Sequence, residues 1–419
     1  MKKLTICIPT YKRPQLVVTL LESVFTQIKK NAMLDKVAVR VSDNDIYLSA
    51  EMYVLPLIER YPEIDVKYNK NEINTETYNF INVTDMADSE YVWIIGDDDT
   101  LQEGAISRVY FELSHGTDIL ICNTYHYDKE MIRNLGIVYT LKIEIESRNF
   151  YFAKREDSLD YFLNAASKNA IFTFLSNVIF RKSTWSHEYK REQYKKLRGS
   201  QAEQVYMHLE TILKDTSSIR YINAPLINYR SDNDYNESYS KALSYRHILS
   251  VQLEGIQNAI LSANPDDELK SILINILLKD INILSFCGHN TTSQENDLIY
   301  KLYTQEEISL YHTLDIKIDD ILQLYNNGCK IVLFGASFLG ERLLNKLHKY
   351  NILPEYFSDN NSTKWNNRHC DITIISPDEI VNLQNNNDLL ILISSMYASE
   401  IYNQLSNKGI KRIKMIDYR

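Results

Sequence analysis

Three consecutive aspartates, Asp97, Asp98 and Asp99, end the apolar run WIIGDDDT at residues 93–100. Such a run belongs inside a sheet, and adjacent carboxylates at its tip repel one another. Burial without solvent or a cation to offset the charge would cost several kcal/mol. The competing reading is a solvated turn, with Asp99 or Thr100 capping a helix that starts in LQEGAISRV. Two more polar clusters follow apolar runs in the same way, PTYKRP at 9–14 and SDND at 42–45. Near the other end, Gly335-x-Ser337-x-x-Gly340 follows a strand pattern and opens a helix pattern, the setting of a dinucleotide fingerprint. Serine replaces the middle glycine that lets backbone approach pyrophosphate, and Asp359, 19 residues after Gly340, takes the place of the ribose-binding acid.

The elements that must position these residues alternate. Strand patterns at 4–9, 36–43, 65–69 and 91–97 are separated by amphipathic stretches near 14–30, 48–61 and 74–88. That alternation predicts an α/β fold with a mostly parallel sheet, whose ligands bind beyond the carboxyl ends of the strands. PTYKRP, SDND and GDDD all fall there. Further strand patterns at 118–128 and 219–230 flank a hydrophilic insert at 186–202 and a helix at 203–214. Between about 240 and 290 the pattern turns to long helices, with Ile248, Leu249, Leu253, Ile256 and Ile260 on one face as packing surface for a neighbouring domain or a second subunit. A second β-α series of the Rossmann type begins near 321, interrupted by a short polar loop, NLQNNND, at 382–388. The expected domains are therefore 1–235, a helical connector at 236–320, and a smaller Rossmann-like domain at 321–419.

A net charge of −9 argues against a general nucleic-acid binder, which needs a basic face to displace counterions. Cys7, Cys122, Cys287, Cys329 and Cys370 are odd in number and lack C-x-x-C spacing, and they read as buried thiols of a reducing cytoplasm. No stretch approaches the ~20 apolar residues of a spanning helix. The expected location is cytoplasmic, with peripheral attachment to the inner face of the membrane left open.

TICIPTYKRPQLVVTLLESVFTQ, VRVSDND, YVWIIGDDDTL and APLINYR, in that order and spacing over about 1–230, resemble a family-2 glycosyltransferase of the GT-A fold. SDN, GDDD and LSNVIFRKSTW look most like its abequosyltransferase-like branch. The resemblance implies a nucleotide-diphosphate sugar as donor, a hydroxyl of a bacterial surface glycan or lipid-linked glycan as acceptor, and Mn2+ or Mg2+ as cofactor. Such a cation takes one or two carboxylates plus substrate phosphates and stabilises the leaving diphosphate. On the same basis Asp98 and Asp99 are the metal ligands, and Asp97 lies near the ribose or the metal. Pro9, Thr10, Tyr11 and Arg13 wrap the nucleotide, Asp43 meets the nucleobase, and Asn79 stands near the donor unless it is merely exposed. Gly96 departs from the pattern, since many relatives carry an acid there.

The catalytic base is implied by position alone: the usual Glu-Asp pair ahead of the P-L-x-x-Y-R ending is missing, and Glu203 is the acid that remains. The alternative for Glu203 is a helix N-terminal charge. His208 reads as a core or acceptor-contact residue, Trp185 as an acceptor platform or ordinary packing, Trp93 as core, and Arg230 as facing either the diphosphate or solvent. Two rival functions stay open: an NAD-dependent sugar oxidoreductase or epimerase using the C-terminal domain, and an inactive scaffold. A homo-oligomer stays open too.

Overall fold

The computed structural model describes residues 2–47, 49–198, 202–214, 216–230, 245–278, 305–395 and 398–416. The chain divides into two units, Met1–Leu278 and Lys279–Arg419.

The first unit is built on strands β1 (Leu4–Thr10), β2 (Val37–Asp43), β3 (Val66–Lys70), β4 (Tyr91–Ile94), β5 (Thr100–Leu101), β6 (Ile119–Tyr127), β7 (Asn134–Val138), β8 (Arg148–Phe152), β9 (Val178–Arg181) and β10 (Ser217–Arg230). Their order is β3-β2-β1-β4-β9-β6-β10-β5, with β7 on β6 and β8 on β10. The first four strands pair in parallel, so the carboxyl ends of β1, β2 and β4 share one edge. Antiparallel β9 lies between β4 and β6. This mixed sheet is the α/β architecture anticipated for a GT-A domain. Helix α1 (Pro14–Lys30) starts with proline at its first turn, where no N–H is needed. Val17, Leu20, Leu21, Val24, Phe25 and Ile28 recur at helical spacing and are buried, which fixes α1 on the sheet.

Helices α2 (Glu51–Arg60), α3 (Asn79–Asp85) and α4 (Ala105–Glu112) complete the β-α half. Beyond them, α5 (Arg155–Leu163), α6 (Glu188–Lys196), α7 (Glu203–Lys214), α8 (Tyr245–Ser262) and α9 (Asp267–Leu278) form a helical layer. The hydrophilic insert thus contains helix α6. Helix α7 packs against α5, α6 and α8, and every residue from Glu203 to Ile212 is buried. Leu253, Ile256 and Ile260 of the expected apolar stripe are buried. Helices α8 and α9, in the segment read as a connector, belong to the first unit. Residues 236–244 and 279–304, also of that connector, lie outside the described residues, as do Cys287 and the side chains of Ile248 and Leu249.

The second unit opens with α10 (Gln305–Leu314) and α11 (Ile318–Asn326), followed by β11 (Lys330–Phe334), α12 (Phe338–His348), β12 (Tyr356–Ser358), β13 (Arg368–His369), β14 (Ile372–Ile375), α13 (Pro377–Asn386), β15 (Leu389–Ile393), α14 (Ala398–Asn407) and β16 (Ile413–Lys414). The order β13-β14-β12-β11-β15-β16, parallel apart from β13, confirms a small Rossmann-like sheet. The polar tract expected as a loop is mostly helix: Pro377 sits in the first turn of α13, and Ser376 and Glu379 close a capping box. That local start signal outweighs the poor propensity of the asparagines. Cys7, Cys122 and Cys329 are buried as expected, whereas Cys370 is exposed, because it stands in a hairpin turn rather than in an apolar strand.

Two glycines of the fingerprint are sterically required. A Cβ on Gly335, whose φ is +119°, would lie 2.8 Å from the Ser394 carbonyl oxygen. One on Gly340 would strike the Gly335 carbonyl and come within 2.9 Å of the Phe357 ring. Gly340→Ala is therefore expected to destabilise the chain by about 1–3 kcal/mol, the usual cost of overpacking. Urea unfolding of the full chain checks this, and an unchanged midpoint contradicts it.

Candidate active site

Sheet register brings the first site residues together. Cys7 pairs with Ile94, and the Ile95 N–H still donates to the Cys7 carbonyl beyond the strand. Carried forward, that register sets Asp97 beside Thr10, whose hydroxyl donates to Asp97 Oδ2 at 2.7 Å. Lys12, at φ +59°, turns the chain out of β1. Arg13 then reaches back over the acidic turn, its Nη1 donating to Asp97 Oδ1 at 3.0 Å and to Asp98 Oδ2 at 2.8 Å. Pro9 is buried in β1 and Tyr11 is half-buried beside it.

Asp99 faces the other way. Its Oδ2 accepts from the Ser176 hydroxyl at 2.6 Å and its Oδ1 from the Arg230 N–H at 3.3 Å. Ser176 in turn accepts from the Gly96 N–H at 2.9 Å. The departure at Gly96 has a steric reason here: a Cβ would lie 2.9 Å from Asp98 Oδ1 and 3.2 Å from Asp99 Oδ2. Arg230 is anchored rather than solvent-facing, since its Nε donates to the Asp98 carbonyl at 3.0 Å. Neither Ser176 nor this role of Arg230 was singled out from sequence. The only signal was their membership in LSNVIF and NYR.

Asp97 and Asp99 are buried, with 5% and 2% exposure. Burial, reinforced by the neighbouring Asp98 charge and only partly countered by Arg13, pushes Asp97 up to about 6. Burial first and Asp98 second raise Asp99 well above the usual carboxylate range. The hydrogen bonds from Arg13, Thr10 and Ser176 therefore do not fully offset desolvation and mutual repulsion. The two buried carboxyl groups with this unmet electrostatic demand, Asp97 and Asp99 on either side of Asp98, suit a hard divalent cation such as Mg2+ or Mn2+.

Asp43 and Asn44 build the adjoining rim. Asp43 Oδ1 accepts from the Asp45 N–H at 2.9 Å, and Oδ2 accepts from the Ala50 N–H at 2.7 Å and the Tyr68 hydroxyl at 2.6 Å. Asn44 Oδ1 accepts from Asn71 Nδ2 and from Thr75, and its Nδ2 donates to the Glu76 carbonyl. Asn79 is buried rather than exposed: it exchanges hydrogen bonds with Ser42, 2.6 Å to the hydroxyl and 3.0 Å to the carbonyl. A helix-surface pattern misses this because α3 crosses directly over the end of β2.

Glu203 is fully buried at the start of α7, where Thr77 donates to its Oε1 at 2.5 Å. The next residue, Gln204, donates to the Thr173 carbonyl at 3.3 Å, three residues before Ser176. The start of α7 is thus tied both to the 71–78 loop and to the segment that supports Asp99. His208 is sealed in the core instead, with ring centroids of Phe172, Phe180 and Trp185 5.1–5.2 Å away. Burial lowers it to about 3, so it is a neutral packing residue. Trp185 is fully buried and stacks on Phe180 at 4.3 Å, which removes it as an acceptor platform. Trp93 is core, as expected.

In the second unit, the Asp359 carboxylate already accepts from the Ala336 N–H at 3.0 Å and from Lys364 at 2.9 Å. It braces the glycine loop from inside. A cavity of about 360 Å3 lies beside it, lined in part by Gly335, Asn360 and Glu400.

Residues 5–156 match the family described as Glycosyl transferase family 2, and residues 327–416 match that described as C2185-like, N-terminal. The abequosyltransferase RfbV of Salmonella typhimurium is 25% identical over 300 residues, spanning 70% of this chain and 87% of that protein. Similar solved structures include S. aureus TarS 1–349 in complex with UDP-GlcNAc, at 17% identity and TM-score 0.48, covering 77% of this chain and 81% of that one. Another is the mannosyltransferase PcManGT from Pyrobaculum calidifontis in complex with GDP-Man and Mn2+, at 12% identity and TM-score 0.44, covering 77% and 81%. No helix among the described residues is long and apolar enough to cross a membrane.

The raised Asp97 has a measurable consequence in the ligand-free protein. A carboxyl held higher in the folded than in the unfolded state stabilises the fold below its ordinary value of 3.8, and that contribution is lost as pH rises through about 6. Asp97→Asn, uncharged throughout, should flatten this part of the stability profile. Unfolding free energies measured across that window check it, and an unaltered slope in the variant contradicts it.

Proposed function

We propose that this chain, whose residues 5–156 match Glycosyl transferase family 2, is a glycosyltransferase that moves a sugar from a nucleoside-diphosphate donor to a hydroxyl of a bacterial surface glycan, in a reaction that depends on a divalent cation. The observation that carries this reading is the buried acidic turn beside the end of β1. Its unmet demand for positive charge lies at the sheet edge where a diphosphate would sit.

Asp98 and Asp99 would hold Mn2+ or Mg2+, with Asp97 alongside. When bound, the cation supplies charge to the diphosphate as the glycosidic bond breaks. Arg13 and the backbone of Pro9, Thr10 and Tyr11 face the same group, and a guanidinium suits bidentate contact with phosphate. Asp43 Oδ1 keeps a lone pair for a nucleobase N–H while Oδ2 fixes the loop around it. Glu203 accepts the proton of the acceptor hydroxyl, and Thr77 orients its carboxylate. The similarity to an abequosyltransferase supports a surface-glycan acceptor such as lipid-linked O-antigen or capsule. The second unit serves as a structural or assembly module, consistent with an Asp359 already engaged by Lys364.

Titration with UDP, CDP, GDP and dTDP, each with and without Mn2+, tests the donor half. Cation-dependent binding of one nucleotide is expected, lost in Asp98→Asn. The same titration with Glu203→Gln should be unchanged while turnover falls by roughly 10²–10⁴-fold, the usual contribution of a general base. Full turnover in Glu203→Gln rejects that residue as base and leaves the donor site standing.

A further inference from the structure

The second unit contains a mixed ligand set outside the cavity beside Asp359. Glu341, His369 and Cys370 each offer one donor atom, and the three atoms lie within 4.8 Å of one another. They come from two elements: Glu341 from the first turns of α12, His369 and Cys370 from the hairpin joining β13 to β14.

Three independent features hold this convergence in place. The hairpin turn is two residues long, because His369 pairs with Ile372. Cys370 and Asp371 therefore both take positive φ, +49° and +63°, a geometry that favours Asn-Gly and is costly for cysteine. One ring nitrogen of His369, Nε2, lies 3.2 Å from the Ser337 carbonyl oxygen. A histidine metal ligand is commonly oriented by such a carbonyl contact from its other nitrogen. Phe357 fills the space between the elements, edge-on to His369 at 5.0 Å. The missing side chain of Gly340 lets that ring approach α12.

We propose that Glu341, His369 and Cys370 form a binding site for a borderline-soft divalent cation, Zn2+ in particular, which clips the β13–β14 hairpin to the start of α12. A carboxylate oxygen, an imidazole nitrogen and a thiolate sulfur match zinc and disfavour Mg2+ or Ca2+, which take oxygen ligands. Three protein ligands leave the fourth tetrahedral position to water. Cys370 is exposed, so the ion can enter from solvent. On binding, the thiol proton passes to water as the sulfur–metal bond forms. The site differs in ligand chemistry from the aspartate turn of the first unit, which offers only oxygen.

Cobalt(II) distinguishes the two sites, because only ligation by sulfur gives a thiolate-to-metal charge-transfer band. The full chain carrying Asp98→Asn, stripped with chelator, should develop this band with one equivalent of Co2+ and lose it when Zn2+ is added. Cys370→Ser should abolish the band and His369→Gln should weaken cobalt binding, with circular dichroism unchanged in both. Independently of any variant, Zn2+ should slow alkylation of Cys370, mapped by mass spectrometry, whereas Mg2+ should not. Absence of the band, its survival in Cys370→Ser, or alkylation of Cys370 indifferent to Zn2+ overturns the proposal.

Discussion

The structure depends on one unresolved electrostatic demand. Three consecutive aspartates follow a buried strand, and the hydrogen bonds around them reduce their mutual repulsion without removing it. Thr10 and Arg13 serve Asp97, and Ser176 and the Arg230 backbone serve Asp99. Yet burial still outweighs these partners and holds both groups above the carboxylate range. A purely structural turn would gain by exchanging one aspartate for asparagine, since a neutral side chain carries no such desolvation cost. Retaining three acids is a sacrifice of stability that makes sense where a ligand brings the missing positive charge.

The rest of the first unit places chemistry around that turn. Parallel pairing of β1 with β2 and β4 puts Thr10, Asp43 and Asp97 on a common edge. The segment before β9 delivers Ser176, and the end of β10 delivers Arg230, so strands distant in sequence clamp one short loop. Helix α7 starts with buried Glu203, tied to Thr77, and with Gln204, tied to the Thr173 carbonyl. His208, one turn further along, is excluded from this chemistry by its aromatic enclosure.

What sequence could show follows from distance along the chain. The β-α alternation and the clusters at 9–14, 42–45 and 96–99 are local patterns, and the structure has the elements where the pattern placed them. The partnership of Ser176 with Asp99 spans 77 positions and leaves no periodic trace. Gly96 read as a lost acid because its role is the absence of a side chain against Asp98, visible only when the turn is closed. Asn79 read as an exposed helix residue because hydrogen bonds back to Ser42 have no sequence signature. In the second unit the asparagine-rich tract reads as a loop by composition, yet the capping box ahead of it starts a helix that runs into it. Cys370 reads as a buried thiol because nothing in its local sequence marks the exposed hairpin turn formed when His369 pairs with Ile372.

Anomalous diffraction from crystals soaked with Mn2+ and the nucleotide that binds gives the most direct view of the acidic turn. The account predicts a manganese peak within coordination distance of the Asp98 and Asp99 carboxylates, with diphosphate oxygens completing its shell beside Arg13. A nucleotide bound elsewhere, with no manganese at residues 97–99, would contradict it.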